Sequence, residues 1–155
     1  ISDVKLWIVG SDPLPEVRNL EGDGVHVTGR VENVQPYYQG SKVCIVPLRA
    51  GSGTRLKILE SMAFGRPVVS TSLGCEGLDV VDGEHLLIAD DPDEFAEKTA
   101  CLLTDPELYL KIQARARQLV MEKYDWDIIA RRMMNLYSRL NRESKFPNLG
   151  HYDKL

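Results

Sequence analysis

Short apolar runs alternate with segments of helical period along the first ninety residues. The segments over residues 13–20, 34–40 and 54–64 predict helical turns or helices. The apolar runs are bounded by Gly, Pro, Ser or Asp and predict strands over residues 4–10, 25–29, 42–48, 67–71 and 85–89. This alternation indicates an α/β fold, with a mostly parallel sheet and helices on both faces.

The chain after residue 90 is predicted to be helical. Pro92 with its acidic first turn, and Asp105 followed by Pro106, are typical of helix N-termini. A third helix is predicted over residues 127–140, with Trp126 just before it. The residues after 141 have no period, so the pattern predicts one domain over residues 1–141 and a tail over residues 142–155.

Composition and charge narrow the function classes. The 155 residues suit one domain, and a net charge of −4 argues against a nucleic-acid partner. No apolar run approaches the roughly 20 residues of a membrane span. The chain opens on ISDVKLWIVG without an initiator Met, so we expect it to be part of a longer protein.

The three cysteines favour a reducing, cytoplasmic location. Cys44, Cys75 and Cys101 are widely separated and form neither a disulfide framework nor a CxxC pair. Cys44 and Cys101 lie in apolar runs and are predicted to be buried, whereas Cys75 lies in a loop, away from any histidine in the sequence. A nucleophilic role for Cys75 is therefore not favoured.

The segment GSGTRLKILESMAFGRPVVS, residues 51–70, combines a glycine-rich loop with the start of a helix. Residues 51–53 follow the third predicted strand, and ligands of open α/β sheets bind at the carboxyl ends of strands. The first amides of a helix lack internal partners and favour an anion, most often a phosphate. Ser52 and Thr54 add hydroxyl groups, and Arg55 and Lys57 add charge. The loop matches neither GxGxxG nor the Walker A pattern, and a simple helix cap at Ser52 or Thr54 explains it equally well.

Glu60 also has two interpretations. It lies three residues after Lys57, which is a common spacing for a surface ion pair on a helix. Alternatively, its carboxylate accepts hydrogen bonds from a ribose diol, as acidic residues do in dinucleotide folds.

The segment GSGTRLKILESMAFGRPVVSTSLGCEGL resembles the donor-binding signature of family 4 glycosyltransferases with the GT-B fold. The resemblance continues through LWIVGSDP and VHVTGRVENVQPYYQGSKVCIVPL upstream, and through DGEHLLIADDPDEFA and Tyr-Asp-Trp at residues 124–126 downstream. It covers nearly the whole chain, to about residue 141.

The resemblance implies two Rossmann-like domains that face each other across a cleft. The chain matches most of the C-terminal one, a three-layer domain that binds a nucleoside diphosphate sugar, but lacks the earlier strand and helix that carry a basic pair for the diphosphate. The N-terminal domain binds the acceptor, so residues acting on the acceptor cannot be assigned and the isolated chain is expected to be inactive. The implied reaction is sugar transfer with retention, without a cofactor or metal. Many members use lipid-linked acceptors, which leaves a membrane-linked acceptor open.

The resemblance also implies roles for individual residues. Glu60 matches the second glutamate of the family's E-x7-E element, which holds the ribose, whereas Ser52 replaces the first glutamate, which lies near the donor sugar. The phosphate-contacting loop matches Gly53, Thr54 and Arg55 through backbone amides, and Lys57 is placed to neutralise the diphosphate. The full donor-binding set is Gly51, Ser52, Gly53, Thr54, Arg55, Lys57 and Glu60, and the loop beside the nucleobase is Gly29, Arg30 and Val31.

The remaining motifs are interpreted as structural. Tyr37 and Tyr38 are predicted to pack, and residues 74–77 to form a tight turn shaped by their glycines. The arginines of the last helix are predicted to be solvated. Two other functions stay open: a sugar-nucleotide epimerase of the same fold, for which no acid/base pair is found, and a non-catalytic nucleotide-binding module, which the Ser52 replacement permits.

Overall fold

Strands and helices alternate in the computed structural model, which describes residues 1, 3–51 and 53–143, the last without its side chain. Ser52 and residues 144–155 lie outside the described residues, so the prediction of a tail stays a prediction. In chain order the elements are β1 (Leu6–Val9), α1 (Pro15–Arg18), β2 (Val25–Gly29), α2 (Gln35–Gly40), β3 (Cys44–Val46), α3 (Leu56–Ala63), β4 (Val68–Ser70), a 3-10 turn (Leu73–Cys75), β5 (Leu87–Ile88), α4 (Pro92–Thr104), α5 (Pro106–Leu119), a π turn (Val120–Tyr124) and α6 (Trp126–Glu143).

All the strand pairs are parallel, as the alternating pattern predicts. β1 pairs with β2, and β4 lies between β3 and β5 in a second group of strands. The five predicted strands are present, although each ladder except β2 is shorter than its apolar run. Parallel strands place their carboxyl ends at one edge of a sheet, which brings the loops after β3, β4 and β5 together.

The central strand β4 carries a core on both of its faces. Val68 packs in one buried cluster with Ile58 and Met62 of α3, whereas its neighbour Val69 packs in another with Leu102 of α4. Successive side chains of a strand point to opposite faces, so helices cover both sides of this sheet. The predicted three-layer arrangement is therefore confirmed.

The two long helices α4 and α5 begin where the sequence predicts. Asp91 and Asp105 are their N-cap residues, and each side chain accepts hydrogen bonds from two backbone amides of the following turn. Pro92 and Pro106 occupy the first helical positions, where a missing N–H costs nothing.

The cysteines differ from prediction in burial. Cys101 is exposed, because the adjacent Leu102 occupies the inward position of α4. Cys44 is half-buried and Cys75 is buried, and burial raises the pKa of both thiols. Cys75 is therefore a protonated packing residue, which agrees with the absence of a predicted nucleophilic role.

The last helix, α6, is amphipathic but largely uncovered by the described residues. It begins at Trp126 rather than after it, and every side chain from Ala130 to Arg142 is exposed. Its arginines are solvated, as predicted, but an apolar face is exposed as well; the members of this α6 apolar face are Trp126, Met133, Leu136, Tyr137 and Leu140. No helix among the described residues is both long and apolar enough to cross a membrane.

Candidate donor-binding site

Hydrogen bonds join the loops at the carboxyl ends of β3, β4 and β5. The Thr71 hydroxyl donates to the carbonyl oxygen of Leu48 at 2.6 Å and accepts from the Gly74 amide at 3.0 Å. Asp90, which follows β5, accepts from the amide and hydroxyl of Ser72 at 2.8 and 2.6 Å. These bonds lower the pKa of Asp90, so its carboxylate stays ionised and holds the loops together.

The segment 74–77 is a tight turn, as the sequence predicts. A Cβ atom at Gly74 would lie 2.3 Å from Ser70 Oγ and 3.0 Å from the carbonyl oxygen of Val46. Gly77 adopts a φ of 81°, in the left-handed region. The glycines therefore let this turn pack directly on the ends of β3 and β4.

We expect Gly74→Ala to destabilise the domain by about 1–3 kcal/mol. The added methyl group would lie too close to the Ser70 hydroxyl and to the backbone carbonyl of Val46. Urea denaturation of the variant measures the loss. Gly10→Ala is the matched control, since a Cβ atom there meets nothing within 4 Å. Equal stability of wild type and Gly74→Ala would contradict the close packing of this turn.

The N-terminus of α3 is open at the same edge. Arg55 is its N-cap residue and provides no side-chain cap, and the exposed Thr54 hydroxyl bonds to no described residue. The capping alternative is therefore wrong for Thr54, whereas Ser52 lies outside the described residues. Gly51 and Gly53 have φ values of 140° and 94°, and a Cβ atom at Gly53 would point into open space.

Arg55 connects the glycine-rich loop before α3 to the turn 74–77. Its side chain is buried, at 9% exposure, and its Nη2 atom lies 3.8 Å from a carboxylate oxygen of Glu76. Its Nε atom is buried and has no hydrogen-bond partner among the described residues. The guanidinium thus faces the neighbouring turn, and the expected contribution of this residue to an anion is its backbone amide.

Lys57 and Glu60 do not pair with each other. Neither forms a salt bridge with a described residue, so the surface-pair interpretation of Glu60 is wrong. Instead, the Tyr38 hydroxyl donates to Glu60 Oε2 at 3.1 Å and lies 3.4 Å from the carbonyl oxygen of Lys57. The first turns of α3 therefore offer an ammonium and one carboxylate oxygen that have no partner among the described residues.

The predicted nucleobase loop lines a cleft at the carboxyl ends of β1 and β2. Arg30 and Val31 border it together with residues 9–12 and Val34, and its volume is about 360 Å³. Gly29 accepts a hydrogen bond from the Gly10 amide at 3.3 Å and turns the chain with a φ of 68°. Val34 is the N-cap residue of α2, and Tyr38 on the same helix reaches Glu60. α2 thus connects the cleft to α3.

The hydrogen bond from Tyr38 to Glu60 is not predicted by the sequence. The Tyr38 ring stacks on Phe64 at a centroid distance of 5.3 Å, which agrees with the predicted packing, but its hydroxyl also binds Glu60. The Tyr37 ring packs against Trp7 at a centroid distance of 5.8 Å. Spacing along one chain cannot indicate a hydrogen bond between side chains 22 positions apart.

The fold and this arrangement define a Rossmann-like, parallel α/β domain with ligand loops at the carboxyl ends of its strands. Sucrose-phosphate synthase from Thermosynechococcus elongatus superposes on it with a TM-score of 0.74 and 29% identity, over 90% of this chain and 39% of that one. The fold is that of the GT-B glycosyltransferases. The chain belongs to the family described as glycosyl transferases group 1, which matches residues 1–105.

Other relatives agree with this membership. Phosphatidyl-myo-inositol mannosyltransferase of Mycobacterium leprae is 28% identical over 142 residues, which is 87% of this chain and 38% of the relative. Alr3699/HepE from Anabaena, solved in complex with UDP, has a TM-score of 0.77 over 90% of this chain and 42% of that one, and its 17% identity shows the fold alone. The chain therefore spans only about a third to two fifths of the length of the first two curated relatives that it matches.

Proposed function

We propose that this chain is the donor-binding half of a glycosyltransferase that transfers a sugar, with retention, from a nucleoside diphosphate sugar to an acceptor. One observation carries the proposal: the N-terminus of α3, which no described side chain caps, lies one turn before Glu60, and Lys57 between them forms no salt bridge with a described residue. The helix amides and Lys57 suit a diphosphate, and Glu60 suits the ribose diol. The cleft beside Arg30 and Val31 suits the nucleobase.

The proposed mechanism is stabilisation of the leaving group. When the bond from the sugar to the diphosphate breaks, negative charge develops on the departing oxygen. We propose that the α3 amides and the Lys57 ammonium face that oxygen and stabilise its charge, which lowers the barrier to transfer. We propose that these groups act without a metal ion or cofactor, the donor being a substrate.

Structural neighbours support a nucleotide ligand. Alr3699/HepE was solved both with UDP and with UDP-glucose. Its likeness extends over the domain that carries the candidate site here, so we propose the same ligand class, a nucleoside diphosphate sugar, for this chain. Ser52 indicates sugar contacts unlike those of a glutamate.

We further propose a second domain that binds the acceptor. The relatives are much longer than the matched region, and the α6 apolar face is largely exposed among the described residues. Large exposed apolar patches mark interaction surfaces, and burial against the acceptor domain accounts for this one. We propose a cytoplasmic enzyme whose acceptor is either soluble or linked to a membrane lipid.

The proposal is tested by thermal shift of the 155-residue chain with UDP, GDP, ADP and dTDP, each beside its free nucleoside. We expect one diphosphate to raise the melting temperature and its nucleoside to have a smaller effect, because the diphosphate meets the α3 N-terminus. Sugar transfer by the isolated chain is not expected. The proposal fails if no diphosphate binds, or if the isolated chain turns over donor into a glycosylated product.

A further inference from the structure

The Glu60 carboxylate is exposed, yet one side of it is fixed. Its only side-chain partner among the described residues is the Tyr38 hydroxyl, which donates to Oε2 at 3.1 Å. Oε1 has no partner within the described chain. An exposed glutamate otherwise samples several rotamers, and ordering it on ligand binding costs conformational entropy.

Tyr38 is itself held in place from two directions. Its half-buried ring lies nearly parallel to Phe64, with 13° between the ring planes, and its hydroxyl lies 3.4 Å from the carbonyl oxygen of Lys57. Burial and the Glu60 carboxylate raise the pKa of Tyr38, so the phenol stays protonated and remains a donor. The hydroxyl is thus a fixed point on α2 from which the Glu60 side chain is oriented.

We propose that Tyr38 is a positioning residue for donor recognition: it fixes the Glu60 carboxylate so that the free oxygen is directed to the ribose hydroxyls before the nucleotide arrives. This inference rests on the proposed function, because it assumes that Glu60 binds ribose. Preorganisation of this kind improves affinity by reducing the ordering cost of binding.

The position of Tyr38 also joins the two parts of the site. Val34, at the start of α2, borders the cleft proposed for the nucleobase, and Tyr38 lies on the next turn of the same helix. α2 therefore borders the proposed nucleobase cleft and also positions the Glu60 carboxylate, which is proposed to bind the ribose. Discrimination between ribose and 2′-deoxyribose therefore depends on Tyr38 as well as on Glu60.

The test compares UDP, GDP and ADP with their 2′-deoxy counterparts by calorimetry, in wild type and in Tyr38→Phe. We expect wild type to prefer the ribonucleotide that it binds, and Tyr38→Phe to reduce that preference about threefold to tenfold, the range for one net hydrogen bond. Tyr37→Phe is the matched control. Tyr37 lies on the same helix as Tyr38, but its ring packs on Trp7 and its hydroxyl is not hydrogen-bonded to Glu60. The preference of this variant should equal that of wild type.

Each outcome separates a positioning role from a merely structural one. If Tyr38→Phe lowers the melting temperature but keeps the ribose preference, the proposal is overturned and the bond only ties α2 to α3. Glu60→Ala tests the proposed role of Glu60 itself. If this variant keeps the preference for ribose, Glu60 does not bind the ribose, and both that role and its positioning by Tyr38 are overturned. Should Tyr38→Phe fail to fold, Phe64→Leu removes the ring stack but leaves both polar groups, and it must reduce the preference in the same direction.

Discussion

Glu60→Ala is expected to lower affinity for the bound nucleoside diphosphate by about 1–3 kcal/mol, the range for a hydrogen bond to a charged group, and to leave the domain folded. The carboxylate is exposed on α3 and makes no salt bridge with a described residue, so its loss removes no buried partner. Calorimetric titration of wild type and variant measures the difference, and urea denaturation checks the fold.

Glu97→Ala is the matched control for this prediction. Glu97 is also an exposed glutamate inside a helix, but it lies on α4 and contributes nothing to the proposed site. Its nucleotide affinity should equal that of wild type. Equal affinities of Glu60→Ala and Glu97→Ala would remove Glu60 from the site.

Gly53→Val is expected to abolish diphosphate binding. Gly53 has a φ of 94°, which a β-branched residue adopts only with strain, and the side where its Cβ atom would point is open in the described residues. A valine therefore both distorts the loop and fills the space through which a phosphate reaches the α3 amides. Titration with the diphosphate found in the thermal-shift screen measures the loss.

The variant Gly83→Val distinguishes the effect of backbone strain from the effect of blocking the phosphate. Gly83 has a φ of 71° and equally open surroundings, but it lies in the loop that enters β5, at the opposite end of that strand from the site. This control carries similar backbone strain and should bind like wild type, as should Glu122→Gln, which changes an exposed side chain of the π turn. Normal binding by Gly53→Val would exclude the loop from the phosphate site.

Local patterns in the sequence predict most of the fold. The β4 residues Val68 and Val69 belong to a continuous apolar run, which is typical of a strand buried on both faces. Asp91 and Asp105 mark helix starts because capping is a local interaction. Cys101 shows the limit of the method, since an apolar run does not indicate which of its members faces the core.

The candidate site is less accessible to sequence analysis. The loop around Gly53 is identified by its composition and its place after a strand, but the burial of Arg55 against Glu76 depends on how two loops meet. The same holds for Tyr38 and Glu60, which come together only when α2 packs on α3. The spacing between Lys57 and Glu60 even suggested the wrong partner.

The proposed site places the diphosphate at the N-terminus of α3 and the ribose at Glu60. A crystal structure of the chain with the nucleoside diphosphate that gives the largest thermal shift tests both positions. We expect phosphate density within hydrogen-bond distance of the amides that follow Gly53, and ribose hydroxyls on the Glu60 carboxylate beside Tyr38. Phosphate density on the turn 74–77 alone, or a ribose away from Glu60, would contradict the proposed site.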